Sequence, residues 1–410
     1  MVVSEEAKSP KLFYGWFVVG ACFAVILIQG IAMWTFGVFL KPLANEFGWS
    51  RALVSSGYTA FLIGYVVSVI TTGRLADRYS PRPILLVSAL LAGLGFSLCS
   101  QVYTITQIRT FLFIGGLGVG ATWSVPTSTV QRWFFAKRRS GLALGIVVSG
   151  VGVGALIFSP LINYLILNYG WRAAYLVIGI LIFFIITASS WVVKPSPVAI
   201  ETGSEGAETR LNRISIHGWS TRKVATTLSF AGVTFSHCAV LVSFQTISAH
   251  LVPYATDVGI SSTASAAAIG LLGGFSIPGR IISGHLSDRI PWQRILALSL
   301  FGMALFILWL LFLKGMWMLY CFVFFYGICH GSRVSAYLGI LGEFFGMRSL
   351  GELIGITMAI GMFIGAFAPY AAGFIFDTTG SYIVVFMTMM IFLSSGGIIA
   401  HAIKKPVAPE

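Results

Sequence analysis

The sequence predicts an all-α membrane protein with twelve transmembrane helices in two pseudo-symmetric six-helix bundles. Three observations lead there. Of 410 residues, 57% are hydrophobic and only 10% are charged, whereas soluble chains carry about 25% charged residues. Apolar runs long enough to cross a bilayer, which takes about 20 helical residues, occur twelve times. Landmarks of the first six runs also recur in the second six at a nearly constant spacing.

The runs lie near residues 13–40, 53–73, 83–101, 105–130, 140–163, 172–193, 223–251, 261–286, 294–313, 315–342, 350–375 and 382–403. Charged residues, glycines and prolines punctuate them. The sixth and seventh are separated by an abruptly polar stretch, and the chain divides there. The expected units are an N-terminal six-helix bundle (1–193), a cytoplasmic linker loop (194–222) and a C-terminal six-helix bundle (223–410).

Charge sets the expected orientation. With the N-terminus inside, 19 of the 26 lysines and arginines fall in cytoplasmic segments. Four (Lys41, Arg51, Arg172 and Lys314) fall outside, and Arg109, Arg280 and Arg333 lie within spans. The excess on one side follows the positive-inside rule and places both termini in the cytoplasm of an inner or plasma membrane. The same distribution explains the net charge of +13 without nucleic acid as a partner. Residues 1–11 are polar and the first apolar run is long enough to span and remain, so no cleavable signal peptide is expected. The five cysteines sit in apolar runs with no metal-ligand spacing. Gly116-Leu-Gly118-Val-Gly120 follows no strand and lacks a phosphate-loop lysine. No metal and no cofactor are expected, and no Ser/His/Asp constellation suggests an enzyme.

The repeat is specific. Gly73-Arg-Leu-Ala-Asp77-Arg78 returns as Gly284-His-Leu-Ser-Asp288-Arg289, 211 residues later. Phe134-Phe135 returns as Phe344-Phe345, Pro42 as Pro253 and Gly170 as Gly380, at offsets of 210 or 211. Repeats of this kind mark secondary transporters, whose substrates bind between the repeats near the bilayer midplane.

The informative residues are charges in the wrong place. None of the 13 acidic residues lies mid-span, so Arg280 and Arg333 have no evident counter-charge. A buried unpaired guanidinium is costly, and its planar fork matches a carboxylate. Arg280 is the leading anion-binding residue. Arg333 reads as a second anion contact, a gate or a packing cation, and Arg109 as structural. His250 is the leading proton-coupling candidate because histidine titrates near neutral pH; a helix-end or backbone-bonded role is the alternative. His237 and His330 lie deeper and read first as core histidines. Asp77, Arg78, Arg139, Asp288 and Arg289 read as gating residues at the cytoplasmic ends, where breaking ion pairs would favour one access state.

The Gly-x-Leu-Ala-Asp-Arg-x-x-x-Arg segment at 73–82, its echo at 284–294, and Arg109 with the glycines after it resemble the major facilitator superfamily. Tyr14-Gly15-Trp16, the run Trp133-Phe134-Phe135-Ala-Lys137-Arg138-Arg139-Ser-Gly-Leu142-Ala143-Leu-Gly145, and Arg280-x-x-x-Gly284 narrow this to the monocarboxylate transporter family and its bacterial relatives. The resemblance implies the major facilitator fold. It also implies a transporter of small monocarboxylates such as L-lactate or pyruvate, moved with a proton, with Arg280 on the carboxylate. It suggests Gln29, Trp34, Trp123, Gln245, Ser276, Cys329 and His330 as further lining residues. Two positions depart from the family: Ser276 replaces its aspartate and Trp34 its lysine, both tied there to proton handling. A carboxylate exchanger of the oxalate/formate kind, which needs no proton carrier, is the alternative. A non-transporting sensor is a third possibility from another class, though the loops are short for an output domain. The expected partners are a small carboxylate anion, a proton and the lipid bilayer, with the monomer as the functional unit.

Overall fold

The computed structural model describes residues 13–134, 140–194, 221–346 and 350–406. Every described transmembrane segment is helical, as a bilayer requires, because only an internally bonded backbone survives without water. The helices of the first half are α1 (Gly15–Trp34), α2 (Phe36–Phe47), α3 (Arg51–Arg78), α4 (Pro81–Leu98), α5 (Ile105–Phe134) and α6 (Ser140–Val192). The short α7 (Thr221–Ala225) precedes α8 (Leu228–Asp257), α9 (Ser262–Leu286), α10 (Trp292–Leu310), α11 (Met316–Phe345), α12 (Leu350–Thr379) and α13 (Ile383–Ala402).

Ten of the described helical stretches are long and apolar enough to span on those grounds alone. One of them, Leu142–Val192, is 51 residues long and breaks at Gly170, whose φ of 82° is a left-handed turn that glycine adopts readily, so it makes two crossings. The twelfth crossing is α11, which is 30 residues long but diluted by His330 and Arg333. The first crossing combines α1 and α2, which meet at Thr35.

Packing repeats as the sequence does. In the first half α3 lies on α5, α4 on α5 and α6, and α1 on α6; in the second, α9 lies on α11, α10 on α11 and α13, and α8 on α12. The halves meet through α6 on α9, α3 on α12 and α2 on α8. Connector geometry repeats too. Gly48 and Gly259 both have positive φ (65° and 90°), as do Gly170 and Gly380 (82° and 67°). Ser50 caps α3 by accepting from Leu53 N at 3.3 Å, and Ser261 caps α9 by accepting from Ala264 N at 3.3 Å. A serine cap satisfies one of the four amides that a helix start leaves free.

The seam between halves is tight because small residues let backbones approach. A Cβ added at Gly152 would lie 2.7 Å from Gly273 O, and one at Gly37 would lie 2.7 Å from Ser248 O. Ser159 Oγ donates to Ala266 O at 2.8 Å, and Tyr58 Oη donates to Met33 O at 2.7 Å with Gln245 Oε1 3.3 Å away.

Candidate anion-binding site

The site is built where α9 and α11 press together. Gly279 packs on Ile328, where an added Cβ would lie 2.2 Å from its carbonyl. Gly331 packs on Ser276, where the corresponding distance is 2.0 Å. Ser332 Oγ donates to Gly279 O at 3.0 Å and Ser335 Oγ to Arg280 O at 3.3 Å. These contacts put Arg280 of α9 and Arg333 of α11 at one depth, and the positive charge of Arg280 acts on both Arg333 and His330.

Arg333 is only 6% exposed. Its Nη2 lies 3.4 Å from His330 Nε2. A guanidinium only donates, so Nε2 accepts and the ring proton sits on Nδ1. Rings enclose this histidine: Phe244 at a centroid distance of 4.8 Å, Trp34 at 5.9 Å and Tyr326 at 6.4 Å. His237 stacks on Tyr337 at 4.2 Å, and its Nε2 is 3.3 Å from Met358 Sδ. Four buried nitrogens here, Arg280 Nε, Arg333 Nε, His330 Nδ1 and His237 Nδ1, have no partner among the described residues. Leaving one such group unsatisfied costs about 1–3 kcal/mol, and more if it is charged. The described ion pairs involve none of them, and no described cluster of His, Cys, Asp and Glu suits a metal ion. Three of the four, the two arginine Nε atoms and His330 Nδ1, carry protons in these pairings, whereas His237 Nδ1 is bare because its Nε2–H faces the Met358 sulfur; unpaired donors therefore outnumber unpaired acceptors, which suits an anion.

The other expected residues are placed as follows. Trp34 and His330 meet across the seam, their rings 5.9 Å apart, and Gln245 is buried there beside Tyr58 Oη and Met362 Sδ. Gln29 is satisfied within the first half, donating to Thr122 Oγ1 at 3.1 Å and accepting from Tyr65 Oη at 3.3 Å. Trp123 is partly buried against the core. Ser276 is buried and spends its proton on Gly273 O of its own helix at 2.7 Å. Cys329 is a correction: its sulfur points at Gly302 of α10, where an added Cβ would come within 2.6 Å, and so away from the arginines. His237 and Tyr337 join the cluster although nothing in the sequence sets them apart from other core residues; helix phase, fixed by packing, turns them inward.

His250 lies elsewhere, two turns inside α8 rather than at its end. Both ring nitrogens are engaged: Nε2 lies 2.8 Å from Pro369 O and 3.3 Å from Ser55 Oγ, and Nδ1 lies 2.9 Å from Tyr382 Oη. It belongs to a latch that joins the halves at one end of the molecule. Arg51 grips Asp257 with both arms, at 2.7 and 2.9 Å, and donates to Tyr382 Oη at 2.8 Å. Lys41 reaches the same carboxylate at 2.7 Å. The guanidinium also lies over Phe376, 3.8 Å from its centroid. Asp377, near the end of α12, accepts from the first amides of α3, Arg51 N at 3.0 Å and Ala52 N at 2.8 Å. Sequence reading placed Lys41 and Arg51 only as topology charges and missed this latch. At the opposite end Asp288 and Arg289 are exposed and form no ion pair with any described residue. Arg139 and the side chains of Asp77 and Arg78 lie outside the described residues.

A chain whose twelve crossings fall into two similarly packed halves, with a cationic cluster between helices that no described acid compensates, has the design of a secondary transporter. Residues 22–316 match the Major Facilitator Superfamily, and the chain belongs to that superfamily. Its curated relatives bear out the narrower resemblance. Monocarboxylate transporter 13 of Rattus norvegicus is 27% identical over 96% of this chain and 89% of its own length. An uncharacterized MFS-type transporter of Bacillus subtilis, YcxA, is 24% identical over 95% of each chain. Among solved structures, that of the D-xylose-proton symporter superposes with a TM-score of 0.76 at 15% identity, covering 95% of this chain and 97% of the other, a likeness of fold. The relatives are transporters rather than enzymes, and the protein is an integral membrane protein.

Proposed function

We propose that the protein carries small monocarboxylates such as L-lactate or pyruvate across the membrane together with a proton, by alternating access. The observation that carries this reading is the pair Arg280 and Arg333, at one depth on adjacent helices, with buried unpartnered N–H groups and no ion-pair partner among the described residues. A carboxylate satisfies several of these donors at once and removes the repulsion between them. Arg280 holds the anion; Arg333 and His330 complete the donor set; Trp34 and Phe244 close over the apolar side. The halves 1–193 and 223–410 are the moving bodies, joined by 194–222, and the monomer suffices. With both termini cytoplasmic, the Arg51–Asp257 latch seals the external face and the structure is the inward-facing state. Asp77, Arg78, Arg139, Asp288 and Arg289 then pair at the cytoplasmic face in the outward-facing state.

Uptake of radiolabelled L-lactate into proteoliposomes tests the reading. A proton gradient should drive uptake, and both Arg280→Ala and Arg280→Lys should abolish it, because lysine supplies charge without the fork. Normal transport by Arg280→Ala sinks the reading. The second arginine also favours a second reading, a carboxylate exchanger that accepts dianions; uptake that ignores the gradient but requires internal carboxylate would select it.

A further inference from the structure

We infer that His330 is the proton-binding site of transport, and that proton and carboxylate binding are linked through Arg333. This rests on the carboxylate-transport reading above and supplies the carrier that Ser276 and Trp34 leave missing.

The linkage follows from which atoms compete. In the described state His330 Nε2 is occupied as an acceptor by Arg333 Nη2 at 3.4 Å. A proton cannot add to Nε2 while that N–H points at it. Protonation would also set an imidazolium against a guanidinium, and no described acid pairs with either. Among the described residues, the titratable groups facing His330 are Arg333 and Tyr326 on its own helix, Arg280 on α9 and His237 on α8. From α1 only the Trp34 ring faces it. Every one of these is cationic or neutral, so in the empty site the imidazole stays uncharged.

A carboxylate changes both conditions. It accepts the Arg333 N–H groups, which frees the Nε2 lone pair, and its charge offsets the guanidinium beside the ring. A proton from the open side then adds to Nε2. The Nδ1–H, buried and unpartnered in the described state, gains an acceptor if the anion lies against it. Departure of the anion restores the repulsion and expels the proton. Anion and proton therefore each strengthen the binding of the other, as reciprocal linkage requires.

His330 suits this role better than the other buried histidines. His250 already uses both nitrogens inside the latch. His237 touches Met358 and Tyr337 rather than a guanidinium. His330 alone among the three contacts both an arginine of the site and a side chain of the other half, Trp34, so it senses occupancy and closure together.

The test uses purified full-length protein with L-lactate as probe. Calorimetric titration in buffers of different ionisation enthalpy should show uptake of close to one proton per lactate by the wild type. Apparent affinity should rise by about tenfold per unit fall in pH over the range where the proton is taken up. His330→Gln and His330→Asn should bind lactate with no proton uptake and little pH dependence. In proteoliposomes, because the ring also donates to the anion, their lactate–lactate counterflow should slow and lose its pH dependence, and accumulation driven by a proton gradient should be lost altogether. Wild-type binding without proton uptake overturns the inference, whatever the variants do. Proton uptake or gradient-driven accumulation that survives in either variant overturns it as well. Loss of Arg280-dependent counterflow in the wild type would instead overturn the transport reading itself.

Discussion

Cys329 and His330 are neighbours on α11 with different surroundings. One residue turns a helix by about 100°, since 3.6 residues make a turn, so one faces Gly302 and the other the arginines. Arg51 reaches much farther along the chain, to Asp257 at a separation of 206 residues and to Asp377 at 326. A charge inside an apolar run is conspicuous without any structure, which made Arg280 and Arg333 legible; helix phase and such distant pairing are encoded by no local pattern. Glu46 gives a prediction at this scale. Its exposed carboxylate accepts from Arg172 and from Trp171 Nε1, and the Arg172 hydrogen bond, more than that of Trp171, holds its pKa below the usual carboxylate value. The folded-state value is depressed, so the stabilisation is present above the ordinary glutamate range and is lost only as pH falls through the depressed value. Wild type and Glu46→Gln should therefore differ in thermal stability at neutral pH and converge in strong acid. A difference that persists there would show that the link is not electrostatic.

At the scale of elements, hydropathy located all twelve crossings, but not the merger of two around Gly170 or the length of α3 and α8. The sequence repeat was visible through Asp77/Asp288 and Pro42/Pro253. Its extension to the helix caps Ser50 and Ser261, and to the left-handed Gly48 and Gly259, needed backbone angles. Glycine count alone also says little about which glycines matter. Gly331 has Ser276 O where a Cβ would go, at 2.0 Å, whereas nothing lies within 4 Å of that point at Gly284. Gly331→Ala should thus destabilise the α9–α11 pair by on the order of 1–3 kcal/mol through overpacking. Gly284→Ala should leave stability unchanged or slightly raised. Thermal unfolding in detergent compares them, and equal shifts would contradict the packing described.

For the whole molecule, two states must differ by little for transport to turn over. The Arg51–Asp257–Lys41 cluster favours the state in which its own end is closed. Exposed ion pairs contribute up to about 1 kcal/mol each, enough to change a two-state population several-fold. Arg51→Met, which keeps much of the apolar stem and removes the charge, should increase opening at that end. Labelling of a cysteine placed at Ala52, in a background lacking the five native cysteines, reports it; unchanged labelling would mean that the glycine seam alone holds the closure.

Asp377 gives this closure a dependence on the surrounding medium. It is held by main-chain amides of α3 at 2.8 and 3.0 Å, while Asp257 is held by side-chain cations that remain partly open to water. At physiological ionic strength charges are screened over about 8 Å, and partly buried contacts are screened less. Rising salinity therefore loosens the Asp257 grip before it touches the amide cap, which any residue but proline can supply at position 52. Under the alternating-access reading proposed above, the balance between the two carboxylates would set how far the resting orientation follows the salt content of the surroundings.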